Sequence, residues 1–240
     1  MNLLRHRPLR AAFKPLYVLH YRYLFGRSFP GAGALARAVR RFELETGRGD
    51  APAAKERWDE EYRRGDWEFM RHLDEMARYS VIASLVARLR PGGAVLDVGC
   101  GEGILEEHLR PLGYGRYVGI DLSEAAVARA SARAGRELAG RRARFVAANA
   151  ERYEPETGFD AVVFNESAYY FEDPVGTVLR YRSAIAPGGV LVVSMFESRR
   201  AAAIRRALRS KLEAVEEVSI GGRRGAWVIT CFGLESPVRR

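Results

Sequence analysis

Cysteine is scarce in this 240-residue chain: there are two, Cys100 and Cys231, set far apart. That spacing offers neither a disulfide framework nor a set of metal ligands, so no metal is expected and a reducing, cytoplasmic setting is favoured. No apolar run approaches the ~20 residues that a membrane-spanning helix needs. The start of the chain lacks a clean apolar segment followed by a cleavage site, so no secretory signal is expected. Lysine is sparse beside arginine, a bias that coding preference alone can produce. The most informative absence is of acids. None precedes Glu43, while nine basic residues do: Arg5, Arg7, Arg10, Lys14, Arg22, Arg27, Arg37, Arg40 and Arg41. The other 30 Lys and Arg equal the 30 Asp and Glu, so the net charge of +9 belongs to the first 42 residues. The neutral body carries no surplus for tracking phosphates, which disfavours a nucleic-acid partner.

An apolar share of 48% supplies a core for one sizeable domain with an appendage. Residues 1–54 read as a basic helical arm and linker. Pro15 suits a helix start, "FPGAGA" breaks that helix, "LARAVRRFELE" reads as a second, and "TGRGDAPAA" is a linker by composition. Residues 55–240 read as the main domain. Within it, 55–90 hold helices that precede the core, ending in the amphipathic "DEMARYSVIASLVARL" and the stop "RPGG".

Residues 91–233 change character. Short β-branched runs alternate with helical stretches: "AVLDV", "RYVGID", "ARFVAAN", "FDAVVFNE" and "GVLVVSMF" read as strands, and "GILEEHLRPLG", "SEAAVARASARAGREL" and "PVGTVLRYRSAIA" (174–186) as helices. Such alternation predicts an α/β fold, a Rossmann-like doubly wound, mostly parallel sheet with helices on both faces. The last two runs, "EAVEEVSI" and "AWVITCF", are joined by "GGRRG". So short a link excludes a parallel crossover and predicts an antiparallel C-terminal hairpin, giving seven strands in all.

"AVLDVGCGEG", residues 94–103, sits at the end of the first strand and opens the first helix. In such sheets, ligands bind beyond the carboxyl ends of the strands. Glycines there allow a tight turn and a close backbone approach. A dinucleotide fingerprint would put its third glycine where this chain has Ile104. Asp97 and Glu102 also flank the loop, and carboxylates beside a pyrophosphate repel it. A ligand with an ammonium and a sulfonium matches better. Asp121 ends the second strand in "GIDLS", where a carboxylate can accept both hydroxyls of a ribose. A plain strand–helix turn is the bland alternative for the glycines.

These stretches resemble the class I S-adenosylmethionine-dependent methyltransferases. "VLDVGCGEG" is similar to their first motif and "GIDLSEAAVARA" to their second. "FVAANAE", "FDAVVFNESAYYF" and "APGGVLVVS" resemble the third, fourth and fifth. The resemblance covers about 58 to 233 and implies S-adenosyl-L-methionine as cofactor. It implies that Asp97, Gly99, Cys100, Gly101 and Gly103 surround the methionine part and that Asp121 binds the ribose. Leu122 would pack on the adenine, with Asn149 and Ala150 at its edge. Many members carry Asp where this chain has Asn149. Asn165 would lie where the fourth strand meets the transferring methyl.

Methyl transfer asks chiefly for alignment. An acceptor that must lose a proton also wants a base. Glu166, His72 and Tyr170 are the catalytic candidates, with Tyr169 beside them. Glu166 can equally cap its strand, and the tyrosines can be walls. His72 can be a structural helix residue, and Cys100 merely a small one. Trp58, Tyr62 and Trp67 suit a lid or a core. Arg78 could meet the cofactor carboxylate, but a solvated helix face is preferred.

The function these readings imply is methyl transfer to O or N of a small molecule, loosely like sugar or nodulation-type N-methyltransferases. The "NESAYY" segment lacks the prolines of nucleic-acid amine methyltransferases. Two alternatives stand beside it. One is a binding protein for S-adenosylmethionine or S-adenosylhomocysteine without turnover. The other is an enzyme for a lipid-linked substrate, with residues 1–42 on an anionic membrane surface. The arm also suits a simple extension, or a targeting segment of mitochondrial type. Nothing in the sequence sets the oligomeric state.

Overall fold

The computed structural model describes residues 51–137, 143–222 and 225–234. The basic arm of residues 1–42 and the helices expected within it lie outside the described residues. Among the described residues no helix is long and apolar enough to cross a membrane. The chain is helical from Ala51 to Arg64 (α1), so residues 51–54, expected to end the linker, form helix instead. Gly65 stops α1 at φ +76°. Its amide donates to the Tyr62 carbonyl at 3.0 Å and the Asp66 amide to the Glu61 carbonyl at 3.0 Å. That bond pattern closes a helix end on a left-handed glycine. A 3₁₀ turn follows over Glu68–Arg71, then α2 over Leu73–Leu89.

The sheet begins at β1, Ala94–Val98, followed by α3, Ile104–Leu109. Pro111 lacks the amide that would continue α3, and a 3₁₀ turn over Arg110–Leu112 replaces the longer helix the sequence suggests. Next come β2 (Arg116–Asp121), α4 (Glu124–Glu137), β3 (Ala143–Ala147) and β4 (Phe159–Asn165). Helix α5 spans Pro174–Arg180, capped by the Asp173 side chain, which accepts from the Gly176 amide at 2.9 Å. Strand β5 runs Ile185–Phe196, α6 runs Arg199–Arg209, and β6 (Glu213–Gly222) and β7 (Gly225–Gly233) finish the sheet. The expected helix over 174–186 therefore ends early, and β5 starts before "PGG". Ile185 pairs with Phe159, and an irregularity between Phe159 and Ala161 absorbs the extra residues.

Strand order is β3-β2-β1-β4-β5-β7-β6. The β1, β2, β3, β4 and β5 pairings are parallel, and β7 is antiparallel to both its neighbours. This is the Rossmann-like α/β sheet with an antiparallel C-terminal hairpin that the pattern predicts. Successive strand side chains face opposite ways. Leu96, Val98, Val118, Ile120, Val162 and Phe164 join one core, reached by α5 and α6. Val95, Tyr117, Ala161, Val163 and Val192 join the other, under α2 and α3. Order reverses between β1 and β4, the switch point where such sheets leave a crevice.

Candidate active site

The crevice is a cavity of about 180 Å³ over the carboxyl ends of β1, β2 and β4. Its floor is the turn after β1. Gly99 and Gly101 adopt φ +82° and +53°. A Cβ on Gly101 would stand 2.8 Å from the Tyr62 hydroxyl, and one on Gly99 would overlap the Ser167 side chain. The turn is tied to β2, because the Gly99 and Cys100 amides donate to the Ile120 carbonyl at 2.8 and 3.0 Å.

Two carboxylates bracket this turn. Asp121 Oδ2 accepts the Gly101 amide at 2.8 Å and Oδ1 accepts the Ser123 amide at 2.9 Å. Burial still raises its pKa above the ordinary value. Asp97 is 1% exposed, and its Oδ2 accepts the Tyr117 hydroxyl at 2.6 Å. Its Oδ1 is buried with no partner. Burial, helped by the charge of Asp121, pushes Asp97 up to about 7, against the opposing Tyr117 hydroxyl and Arg78 charge.

Glu166 follows β4 with φ +58°, a left-handed conformation that few side chains adopt. Its Oε2 accepts the Tyr169 hydroxyl at 2.8 Å, while Oε1 is buried without a well-formed partner. Burial pushes Glu166 up to about 7, resisted chiefly by the Arg78 charge, then by the Tyr169 hydroxyl.

Leu122, Asn149, Ala150, Asn165 and Tyr170 line the same cavity, as do Asp97, Gly99, Cys100, Gly101, Asp121 and Glu166. The Asn149 side-chain oxygen already accepts the Glu151 amide at 2.8 Å, a local turn. Cys100 is buried, and desolvation holds its thiol well above the usual range, so it is a small wall residue rather than a nucleophile.

Four residues sit in surroundings that the sequence does not announce. Gly103 does not line the cavity; at φ +77° its bare Cα faces Phe145 and Ala130, where a Cβ would meet atoms 3.1 and 3.2 Å away. His72 is exposed at the N-cap of α2, away from the cavity lining. Glu102 lines the cavity, but its carboxylate is held by Arg129 and Arg133 at 2.6 Å each, which lowers its pKa against desolvation. It is therefore neutralised and adds little attraction for a cation. Arg78 is no solvated face. It is 1% exposed, bonded to Asn165 Oδ1 and to Glu75 Oε2 at 3.0 Å, with its guanidinium 4.4 Å from the Tyr79 ring centre.

Trp58, Tyr62 and Trp67 sit over the turn as cavity wall. Trp58 lies tilted by 36° against Trp67, ring centres 5.2 Å apart, and meets Tyr170 edge-on at 5.1 Å. Asp59 anchors them. It accepts the Ser123 hydroxyl at 2.7 Å and the Ala125 amide at 3.0 Å, at the start of α4, and Lys55 at 3.1 Å. Nothing in the sequence near Asp59 announces those partners; its i,i+4 spacing to Lys55 is all that shows.

An α/β sheet with a glycine turn and two strand-end acids at its switch point is thus defined by fold and site together. Residues 67–227 match the family of methyltransferase domains, and the chain belongs to that family. It is 33% identical over 153 residues to ribosomal protein L11 methyltransferase of Thermus thermophilus, covering 63% of this chain and 56% of that protein. It is 30% identical over 145 residues to trans-aconitate 2-methyltransferase of Streptomyces avermitilis, covering 58% and 51%. The chain spans about half the length of these curated relatives. The crystal structure of N-methyltransferase NodS from Bradyrhizobium japonicum with S-adenosyl-L-homocysteine matches with a TM-score of 0.64 at 23% identity, over 75% of this chain and 98% of that one. At that identity the likeness is one of fold. The cofactor of this class is S-adenosyl-L-methionine, and the cavity fits it in kind. The turn is bare of side chains, and an unpartnered buried carboxylate oxygen, Asp97 Oδ1, stands ready for a cationic group.

Proposed function

We propose that this chain transfers a methyl group from S-adenosyl-L-methionine to an oxygen or nitrogen of a small molecule. The observation that carries the reading is one cavity holding both the bare turn between Asp97 and Asp121 and the buried acid Glu166. When bound, the cofactor supplies an electrophilic methyl on a positively charged sulfur. The protein's residues do the rest. Asp97 takes the amino group, and its ionisation is favoured by that charge. Asp121, its two oxygens already oriented by backbone amides, takes the ribose hydroxyls. Leu122 packs on the adenine, with Asn149 and Ala150 at its edge. Glu166 holds the acceptor's proton as base, since a carboxyl that titrates near neutrality is suited to that task. Tyr169 orients Glu166, and Tyr170 is wall. Residues 55–90 act as a lid, whose aromatic side chains exclude water from the reacting atoms.

The reading is tested by incubating the protein with S-adenosylmethionine and a panel of small hydroxyl and amine compounds, with mass spectrometry of the products. A methylated product and accumulating S-adenosylhomocysteine are expected. Glu166→Gln, which removes the base, should slow turnover by roughly 10²–10⁴-fold. Tight cofactor binding with no product from any class would leave a binding protein in place of an enzyme.

A further inference from the structure

A second, smaller cavity of about 90 Å³ adjoins the first and shares Trp67, Met70, Glu166 and Tyr170 with it. Its far wall is Phe196, which ends β5, and Trp227 of β7, their rings 5.4 Å apart and crossed at 77°. Tyr169 and Phe69 complete an aromatic enclosure. Two charged side chains also line it, Glu75 at 6% and Arg78 at 1% exposure, and they pair with each other at 3.0 Å. Three polar atoms of lining residues are buried without a well-formed hydrogen bond: Glu166 Oε1, which only the Phe196 amide approaches, Arg78 Nε and Trp67 Nε1. The first is an acceptor and the other two are donors. Native interiors seldom leave such groups poorly satisfied, so an acceptor and N–H donors around one small cavity point to a ligand that meets one of each kind.

Building on the methyl-transfer reading, we infer that this cavity is the acceptor subsite and takes a flat aromatic ring bearing a hydroxyl, which is the group methylated. Ring walls set edge to face bury a flat aromatic compound well. A hydroxyl answers both kinds of unmet atom. It donates its proton to Glu166, and its oxygen has two lone pairs, one for an N–H donor and one for the methyl carbon. A neutral amine has a single lone pair and cannot accept an N–H bond while attacking. An ammonium has none. In the step, the oxygen lone pair forms the O–CH₃ bond and the S–CH₃ bond breaks, leaving its electron pair on sulfur. The hydroxyl proton passes to the Glu166 carboxylate. The charge of Arg78 favours the phenolate character that develops on the oxygen.

The test uses ring compounds of one shape and three substituents: p-cresol, p-toluidine and p-xylene, with 1-naphthol as a larger phenol. Equilibrium dialysis against the full chain measures binding with and without S-adenosylhomocysteine. Cofactor affinity is measured separately by calorimetry. The phenols should bind saturably, with toluidine and xylene weaker by about tenfold, the scale of one lost hydrogen bond. Phe196 lines only the smaller cavity. Phe196→Ala should therefore weaken phenol binding several-fold and leave cofactor affinity within about twofold. Should that variant fail to fold, the compound series on the native protein still decides. Equal affinity for all three substituents, no saturable phenol binding, or preferred methylation of toluidine would overturn the assignment. If the cofactor binds and the phenols do not, the acceptor assignment alone falls. If the phenols bind as stated and the cofactor does not, the methyl-transfer reading falls by itself.

Discussion

Asp97 and Glu166 are carboxyl groups that burial holds near neutrality, each pushed up to about 7. In an unfolded chain they would lose their protons near 3.8 and 4.5. Between those values and about 7 the folded state therefore binds more protons than the unfolded one, and stability falls as pH rises through that window. Thermal melts of the ligand-free protein should drop from pH 5 to pH 8, and Asp97→Asn should flatten part of the decline. A cationic ligand beside Asp97 reverses its preference. Binding S-adenosylmethionine at pH 6 should release most of one proton, seen as a dependence of the calorimetric heat on the buffer's ionisation enthalpy. The release should vanish in Asp97→Asn; a heat independent of buffer in the native protein would contradict the role given to this residue. At this scale the sequence was legible where chemistry and glycine stand side by side, as at Asp97 and Asp121. It was not legible where partners lie far apart in the chain. Arg78 meets Asn165 across 87 positions, and its helical spacing alone suggested a solvated face. Gly103 shares the spacing of Gly99 and Gly101, yet its neighbour is the Phe145 ring.

Helix α1 packs on α4 with a buried polar anchor at Asp59, flanked by the Lys55–Glu124 ion pair and by Arg129, which donates to the Arg63 carbonyl. Asp59 is 4% exposed and reaches across 64 positions to Ser123, then to the Ala125 amide, an acid placed at the N-terminus of α4. Its pKa is lowered: the Ala125 amide, Ser123 and Lys55 outweigh the opposing desolvation. The wall of Trp58, Tyr62 and Trp67 rides on that anchor. Asp59→Ala should reduce stability by about 1–3 kcal/mol, because buried donors lose their acceptor. It should also speed tryptic cleavage in the Arg57–Arg64 region and raise the KM for cofactor more than it lowers kcat. Unchanged cleavage together with unchanged KM would show that α1 does not cover the site. Elements were legible to different depths. The β-branched runs marked each strand, and the short "GGRRG" link correctly gave an antiparallel hairpin. Element ends were harder to see. The "PGG" of β5 reads as a turn by composition, but the irregularity opposite it lets the strand start at Ile185. Pro111 similarly divides what reads as one helix.

Taken as a whole, the molecule places every element of the proposed chemistry at one end of one sheet. The order β3-β2-β1-β4-β5-β7-β6 reverses beside β1, so the turn after β1 and the acids ending β1, β2 and β4 converge on a single crevice. The aromatic subsite lies alongside, by the end of β5 and the start of β7. Local sequence carried the α/β class and the cofactor loop, since each motif sits at a strand end. The acceptor subsite could not be read in the same way. Its walls come from the 3₁₀ turn at Glu68–Arg71, α2, β5 and β7, and only the folded sheet brings them together. The account rests on a cationic nucleoside seated over the turn with its ribose on Asp121. Calorimetric titration of S-adenosylmethionine into the native protein and into Asp121→Ala tests this most directly. Saturable binding should be seen in the native protein and should weaken by tenfold or more in the variant, about 1.4 kcal/mol or greater. Absence of heat in the native protein, or equal affinity in the two, would contradict it.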